Sequence, residues 1–561
     1  MASKTDYSSW SKEDLIKRIK LLEKRKKYGL VWDAAREPEK VVLDCQKELP
    51  VLKEIKDKEI VTDKDDITHI LIEGDNYHTL SVLNYTHEKC IDLIYIDPPF
   101  NTGASDWKYN NNYIDANDAF RHSKWLSFMK HRLILAKRLL TTRGFLICAI
   151  DANELFSLGL LLDEIFGESN KVGLVTVIHN PKGRNLSKYF SENSEFMLVY
   201  AKDISSAIFN DVVIDEDKEA TFNLNDDQGK YRLEPFMRVR TSWSRKNKPK
   251  CHYPIYVSKD LKDITIDKKP GYHEVFPKTE DGREWAWKNV PGTFIQLNKN
   301  GYFVAVAQNK RVEILHKYRE KQVFKNVWTN KKYQSEFHGT NVLKDILGEN
   351  AFEYPKSIHL VEDIIKITSK KDSIILDYFA GSGTTGHAVL SLNSEDGGNR
   401  QFILCTNNEN NICTDVCYPR IQKIMEGYKN SKSEDIAGLG GSLKYFITSF
   451  VPAAPTDKNK EMLTKQSIEM LTLKEGTFER VAENSSYVIY RNSDKYTGII
   501  FDQLSFAEFK KAVAKVNKPI SLYIFSLADE DFSDDFADMK GLVKISAIPE
   551  SILRVYRRIF R

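Results

Sequence analysis

The sequence predicts an α/β protein built on a doubly wound sheet, and three observations carry that prediction. Short apolar runs alternate with amphipathic helical periods over much of the chain. The run Ile91 to Ile96 is apolar at five of six positions and stops at Asp97-Pro98-Pro99-Phe100. Two prolines cannot continue a ladder of hydrogen bonds, so a buried strand ends there. A second run, Ile374 to Asp377, stops at a turn containing Gly381, Gly383 and Gly386. Glycines at such a turn let the backbone approach a ligand, and the helix that follows presents free N–H groups to it.

A chain of 561 residues and 64.7 kDa is too long for one ordinary core, so two to four domains are expected. The sequence contains no long uncharged apolar run, which argues against a membrane span. The N-terminus lacks the apolar core of a secretory signal, and seven scattered cysteines suit a reducing compartment, so a cytoplasmic protein is expected. Cys413 and Cys417 form the one close cysteine pair, with no nearby His to complete a zinc set, and no metal is expected.

The net charge of +4 conceals an asymmetry. From Thr221 to Thr340 there are 24 Lys and Arg against 13 Asp and Glu, whereas the remainder has 59 against 66. Within "MRVRTSWSRKNKPKCHYPIY", Arg238, Arg240, Arg245, Lys246, Lys248 and Lys250 alternate with Trp243, Tyr253 and Tyr256. Cations for phosphates beside aromatics for bases suit a nucleic-acid surface.

The elements divide the chain into five segments. Residues 1–40 hold a basic amphipathic helix opened by a capping-box pattern at Ser11 and Asp14, with Leu15, Ile19 and Leu22 along one side. Residues 41–204 read as strand, turn and helix in "ITHILIEGDNYHTLSVL", then the strand before Asp97, a helix and strand in "HSKWLSFMKHRLILAKRLLTTRGFLICAI", and a strand in "NSEFMLVYAK". Residues 205–345 are short-patterned, aromatic and basic, and read as an insert. Residues 346–432 return to helix, strand and glycine turn, closing with the strand "RQFILCTNNEN". Residues 433–561 form a mixed tail with strands in "SYVIYRN" and "ISLYIFSL".

Taken literally, the glycine turn is a GxGxxG pattern with Glu409 after the next strand, able to bind a ribose diol, as in a dinucleotide-dependent dehydrogenase. His387 rather than Lys follows the last glycine, which excludes a phosphate-binding P-loop at this turn. Ligands of open α/β sheets sit outside the carboxyl ends of the strands, so Asp97 through Phe100 should share a crevice with the glycine turn. Two fixed acceptors and a flat ring suit a planar substrate with an exocyclic amine.

"DPPF" resembles the D/N/S-P-P-Y/F/W tetrapeptide of the DNA amino-methyltransferases that use S-adenosylmethionine, and "DYFAGSGTT" resembles their FxGxG cofactor motif. Further similarities are "GDNYHTL", "FEYPKSIHLVEDII" and "NICTDVCYPRI", and together they cover about residues 10 to 430. The catalytic motif comes first and the basic insert lies between the two motifs, an order similar to the β class, whose insert is the target-recognition domain. Asp in the first position resembles adenine-N6 members. The N-terminal "LEKRKKYGLVWD" and the tail resemble the modification subunits of type III restriction-modification systems. In one departure, Ser194-Glu195 stands where such proteins often carry His-Glu.

The resemblance implies a Rossmann-like methyltransferase sheet with circularly permuted motif order, an inserted target-recognition domain and a mixed α/β C-terminal domain for dimer or partner contacts. It implies transfer of a methyl group from S-adenosylmethionine to N6 of adenine in duplex DNA, with the base flipped out. Asp97, Pro98, Pro99 and Phe100 become the catalytic set, with Phe196 on the far face of the base. Asp75, Asp377, Phe379, Gly381, Gly383, Thr384 and Glu409 become the cofactor set. Duplex DNA, a second copy of the chain and a restriction subunit are the implied partners. The alternatives are a solitary or type II amino-methyltransferase acting on N6-adenine or N4-cytosine, and an NAD-dependent dehydrogenase.

Overall fold

The structure, a computed structural model, describes residues 10–23, 39–62, 67–110, 112–115, 117–118, 120–183, 189–308, 311–319, 324–348 and 352–560. Most of the basic stretch after Leu22 therefore lies outside the described residues. The chain divides into two compact units, one of residues Met1–Asn210 with Lys325–Arg561 and one of Asp211–Phe324.

The larger unit is organised by one sheet. Its strands, in chain order, are β1 (Glu48–Glu54), β2 (Ile60–Val61), β3 (Thr68–Glu73), β4 (Ile91–Ile96), β5 (Leu140–Ile150) and β6 (Lys171–Ile178). They continue with β7 (Ser194–Ala201), β8 (Val327–Trp328), β9 (Ile374–Asp377), β10 (Gln401–Thr406) and β11 (Ser442–Pro452). Across the sheet the order is β1-β11-β3-β10-β9-β4-β5-β7-β6-β8, with β2 beside β11. The run from β11 to β5 is parallel, and β7 enters antiparallel to both β5 and β6. The central strands, IDLIYI and IILD, are apolar at nearly every position because both faces of a parallel sheet are covered.

From β9 the chain crosses through helix Thr384–Asp396 to β10 on one side. From β4 it crosses through helix Arg121–Leu139 to β5 on the other. Such crossovers share one hand, so opposite directions put the two helices on opposite faces, and the predicted double winding is present. Helices Asn76–Thr86, Arg121–Leu139 and Leu155–Phe166 pack as one layer, and Ile358–Thr368, Thr384–Asp396 and Tyr418–Glu426 as the other.

Helix Asn76–Thr86, NYHTLSVLNYT, carries no Lys, Arg, Asp or Glu and is buried from Tyr77 to Thr86. A helix with no charged face and every residue from Tyr77 onward buried is covered all round. The sheet covers its inner side, and helices Ile468–Glu475 and Glu550–Ile559 of the C-terminal segment cover the outside. That segment has its own mixed five-stranded sheet, Glu479–Glu483, Tyr487–Arg491, Tyr496–Ile500, Ile520–Phe525 and Val543–Ile548.

Residues 433–561 share the main sheet and core: β11 runs between β1 and β3, and Tyr523, Ile552 and Tyr556 pack in one cluster with Leu80 and Leu83. The insert is 211–324 rather than 205–345. Asn210 bonds to the backbone of Lys366 and Ser369, β8 pairs with β6, and the Tyr333 hydroxyl donates to Asp363 at 2.7 Å.

Unit 211–324 has a four-stranded antiparallel sheet in the order Leu224–Asp226, Gly229–Pro235, Arg311–Arg319, Phe303–Gln308. Phe236, Tyr253, Trp287, Phe294 and Phe303 form its core.

Candidate active site at the switch point

Strands β4 and β9 are neighbours, and the chain leaves them in opposite directions. Ligands of open α/β sheets bind at this reversal, outside the carboxyl ends of the strands. Asp97 follows β4 directly, and the glycine turn follows β9.

The Asp97 side chain is 27% exposed and lies 3.2 Å from the Lys356 ammonium. Lys356 also donates to Glu195 at 2.5 Å and lies 4.7 Å from the centre of the Phe100 ring. Burial pushes the Asp97 carboxyl up to about 6; Lys356 opposes the shift and Glu195 adds to it. Burial works against the Lys356 charge, but Asp97 and Glu195 outweigh it and hold the ammonium firmly protonated. The tetrapeptide is fixed from behind. Buried Trp125 donates to the Pro99 carbonyl at 2.7 Å. Asn101, fully buried with φ +56°, donates to Glu154 at 2.5 Å and accepts from Trp107 at 3.0 Å. Phe196 belongs to β7, immediately after Glu195, and is half-buried.

On the other side of the switch point, Asp377 ends β9 and turns back onto its own chain. Its buried carboxylate accepts from the Phe379 N–H at 3.0 Å and the Thr385 hydroxyl at 2.5 Å, and so holds the glycine turn closed on itself. Burial raises it to about 7, against those two hydrogen bonds. The glycines also divide their work. A Cβ on Gly381 (φ +51°) would stand in ordinary contact with Phe352 at 3.7 Å, leaving an open cradle. One on Gly383 (φ +78°) would press on Cys417 Sγ at 3.2 Å, and one on Gly386 on Ile421 at 2.7 Å, so these two serve packing beneath the turn.

Thr384 is buried, and its hydroxyl accepts from fully buried Arg420 at 2.9 Å. Arg420 also donates to Ser382 Oγ at 3.2 Å and approaches His387 at 3.2 Å. Burial lowers this arginine to about 10. Asp75 caps helix Asn76–Thr86, accepting from the Tyr77 N–H at 2.7 Å, and pairs with Arg132 at 3.2 Å. Asn76 donates to the Tyr378 carbonyl at 3.0 Å and accepts from Arg132, so one guanidinium ties the Asp75 turn to the glycine turn. Glu409 is exposed and pairs with Lys108 at 3.3 Å.

Lys356, Glu195, Arg132 and Arg420 were not singled out as site residues by sequence reasoning. Lys356 does stand inside the stretch "FEYPKSIHLVEDII", directly ahead of a helix.

Within unit 211–324, Arg240, Arg245, Lys246, Lys248 and Lys250 are exposed and Arg238 is half-buried. Arg238 and Lys248 lie over the Trp243 ring at 5.1 and 5.6 Å. Arg245 pairs with Glu284 at 2.6 Å, and with Lys278 it pulls that carboxyl down to about 2. Tyr253 and Tyr256 do not offer faces to bases; both are buried, the first in the core of the unit.

Fold and site define an open α/β protein whose ligand crevice lies at a topological switch point. Residues 91–416, more than half of the chain, match the family described as DNA methylase, and the chain belongs to that family. It is 32% identical over 378 residues to the type III restriction-modification enzyme EcoPI Mod subunit of Escherichia phage P1, covering 61% of this chain and 58% of that protein. It is 31% identical over 356 residues to the type II methyltransferase M.KpnI of Klebsiella pneumoniae, covering 62% of this chain and 82% of that protein. With the probable type III restriction-modification enzyme HindVI Mod subunit of Haemophilus influenzae the identity is 26% over 505 residues, covering 82% of this chain and 64% of the relative. The chain thus spans little more than half the length of its EcoPI relative. The family match sets aside the dehydrogenase alternative.

Proposed function

We propose that the chain transfers a methyl group from S-adenosylmethionine to N6 of adenine in duplex DNA, as the modification part of a restriction-modification system. The observation that carries this reading is the Asp97 carboxylate beside the Phe100 ring at the switch point, next to the glycine turn.

The residues present fit the cofactor. Gly381 leaves a cradle that a side chain would narrow, helix Thr384–Asp396 starts at the turn with its first N–H groups free of helical partners, and Asp75 and Glu409 retain exposed carboxylate surface. Phe379, Gly381 and Thr384 would hold the amino-acid end, with Gly383 packing the turn from beneath, Glu409 the ribose and Asp75 the adenine. Bound there, S-adenosylmethionine supplies a methyl group activated by its sulfonium.

The chain's own residues prepare the acceptor. The lone pair of an adenine amine is delocalised into the ring, which makes the nitrogen a poor nucleophile. Accepting its two N–H bonds, one at Asp97 and one at the Pro98 carbonyl, favours a pyramidal nitrogen with its lone pair free, while Phe100 stacks on the ring. Lys356 keeps Asp97 ionised while no base is bound, and the carboxylate takes the surplus amine proton after transfer. The target atom lies inside the base stack, so the base must be extruded.

Unit 211–324 is the target-recognition domain in this reading, with Arg240, Lys246, Lys248 and Lys250 offering charge to phosphates and Arg238 supporting Trp243. The protein works in the cytoplasm as a homodimer that a restriction subunit can join. Among the described residues no helix is long and apolar enough to cross a membrane. Single-molecule sequencing of DNA from cells with and without the gene tests the reading. N6-methyladenine at one sequence context, present only with the gene, is the expected result; N4-methylcytosine or no modified base would overturn it.

A further inference from the structure

Lys356 holds three contacts in one small space: Asp97 Oδ1 at 3.2 Å, Glu195 Oε2 at 2.5 Å and the Phe100 ring at 4.7 Å. Its side chain is only 11% exposed. Asp97 and Phe100 are the two groups that the proposed function assigns to the incoming base, one to accept an N–H and one to stack. An ammonium offers N–H donors to a carboxylate and positive charge to a ring face, so it can satisfy both in place of an aminated ring. Where the base takes the same carboxylate oxygen and the same ring face, the two cannot be bound at once.

The two carboxylates treat the ammonium unequally. Despite the ion pair, Asp97 Oδ1 is buried without a hydrogen bond of good geometry, whereas Glu195 Oε2 has a short one. Glu195 Oε1 is also buried and unbonded, so an acceptor stands ready for a second N–H of the same ammonium. A buried ammonium with no counter-charge would be strongly disfavoured. Glu195 removes that obstacle, because Lys356 can leave Asp97 without leaving its ion pair.

We propose that Lys356 is a surrogate for the target base, filling the Asp97 and Phe100 slot while no base is inserted and retreating onto Glu195 when an adenine enters. Ser194-Glu195 then has a role of its own: Glu195 is the parking site. Base insertion is an exchange of one N–H donor for another at Asp97 rather than entry into an empty pocket. The inference rests on the methyltransferase reading.

The test uses the full chain and a duplex carrying the site that sequencing has assigned, with 2-aminopurine in place of the methylated adenine. Emission of 2-aminopurine rises when it leaves the base stack. At equal bound DNA, Lys356→Met should raise the emission severalfold, because the competitor is gone. Glu195→Gln should lower it, because Lys356 is then bound to Asp97 alone and its release leaves a buried charge. A purely structural role would move both variants in the same direction. Unchanged or weaker emission from a folded Lys356→Met protein overturns the surrogate, and so does stronger emission from Glu195→Gln. If Lys356→Met fails to fold, the Glu195→Gln result decides alone. Failure to find any methylated base would instead sink the methyltransferase reading, before the fluorescence experiment could be set up.

Discussion

The guanidinium of Arg132 lies 3.2 Å from the Asp75 carboxylate and 2.8 Å from Glu39, fully buried in the middle of helix Arg121–Leu139. Burial works against its charge, and the two carboxylates more than offset that. Through Asn76 the same group reaches the Tyr378 carbonyl at the glycine turn. Both halves of the proposed cofactor pocket thus depend on one side chain.

Arg132→Met should therefore lower both stability and cofactor affinity. It leaves Glu39 buried beside His131 alone at 3.4 Å, and breaking such a pair costs about 3 kcal/mol or more. Arg132→Lys keeps a charge but cannot span Glu39, Asp75 and Asn76 together. It should retain more stability while still weakening S-adenosylmethionine binding in calorimetry. Wild-type affinity in a folded Lys variant would uncouple Asp75 from the pocket.

Asp97→Ala should abolish methyl transfer and leave cofactor binding intact, since its proposed partner is the amine. The pH dependence follows from the raised carboxyl. With a value of about 6, Asp97 accepts N–H bonds above that pH and loses the ability below it. The methylation rate should fall about tenfold per pH unit on the acid side, with its midpoint near that value. For stability the sign is opposite: a carboxyl raised by folding stabilises the fold at low pH and loses that contribution as pH rises from about 4 through 6. Asp97→Asn should flatten that fall, and an unaltered stability profile would count against the burial argument.

Gly381 and Gly383 should separate cofactor binding from folding. Asn tolerates a left-handed backbone, and at Gly381 its side chain would project into the open cradle. Gly381→Asn should keep the unfolding temperature and weaken cofactor binding. Gly383→Ala meets Cys417 at 3.2 Å and carries left-handed strain of about 1–2 kcal/mol, so it should lower stability first. The reverse ranking would show that the ligand lies against Gly383.

Salt dependence tests the basic unit. Lys246, Lys248 and Lys250 are exposed, and replacing all three with Ala should reduce the slope of log K against log salt by up to about three, at roughly 0.9 per phosphate. Arg245→Ala should change it little, because Glu284 already neutralises that side chain at 2.6 Å. An equal effect of both changes would mean that Arg245 leaves Glu284 for DNA.

The strand ends at Asp97 and Asp377 were legible because breakers interrupt apolar runs locally, and the switch point follows from strand order. Lys356 was not, since its partner Glu195 lies 161 positions away and nothing near either residue signals the other. Arg132 reads as one more cation of a basic helix until the fold brings Glu39, 93 positions earlier, against it. The local bonds of Asp377 were not legible for a different reason. Its partners, Phe379 and Thr385, are two and eight positions away, and a carboxylate that closes its own turn has the same sequence signature as one that binds a ligand.

The two ends of the chain should respond differently to truncation. Removing residues 435–561 takes β11 from between β1 and β3 and strips the outer cover from helix Asn76–Thr86, which has no charged face to give to water. Methyl transfer, cofactor binding and the cooperative unfolding transition should all be lost together. Helix Lys12–Glu23 is another matter. The Ser11 hydroxyl caps it, accepting from the Asp14 N–H at 3.1 Å and donating to the Asp14 carboxylate at 2.6 Å, yet Ile16 and Ile19 remain exposed along it. An apolar side left exposed by the described residues suits a second copy, and the proposed homodimer would bury it. Deleting residues 1–23 should leave the unfolding temperature and S-adenosylmethionine affinity near wild type while light scattering shifts from dimer toward monomer at micromolar concentration. A full-length chain that is monomeric and fully active on duplex DNA would refute the dimer and place the protein with methyltransferases that act alone.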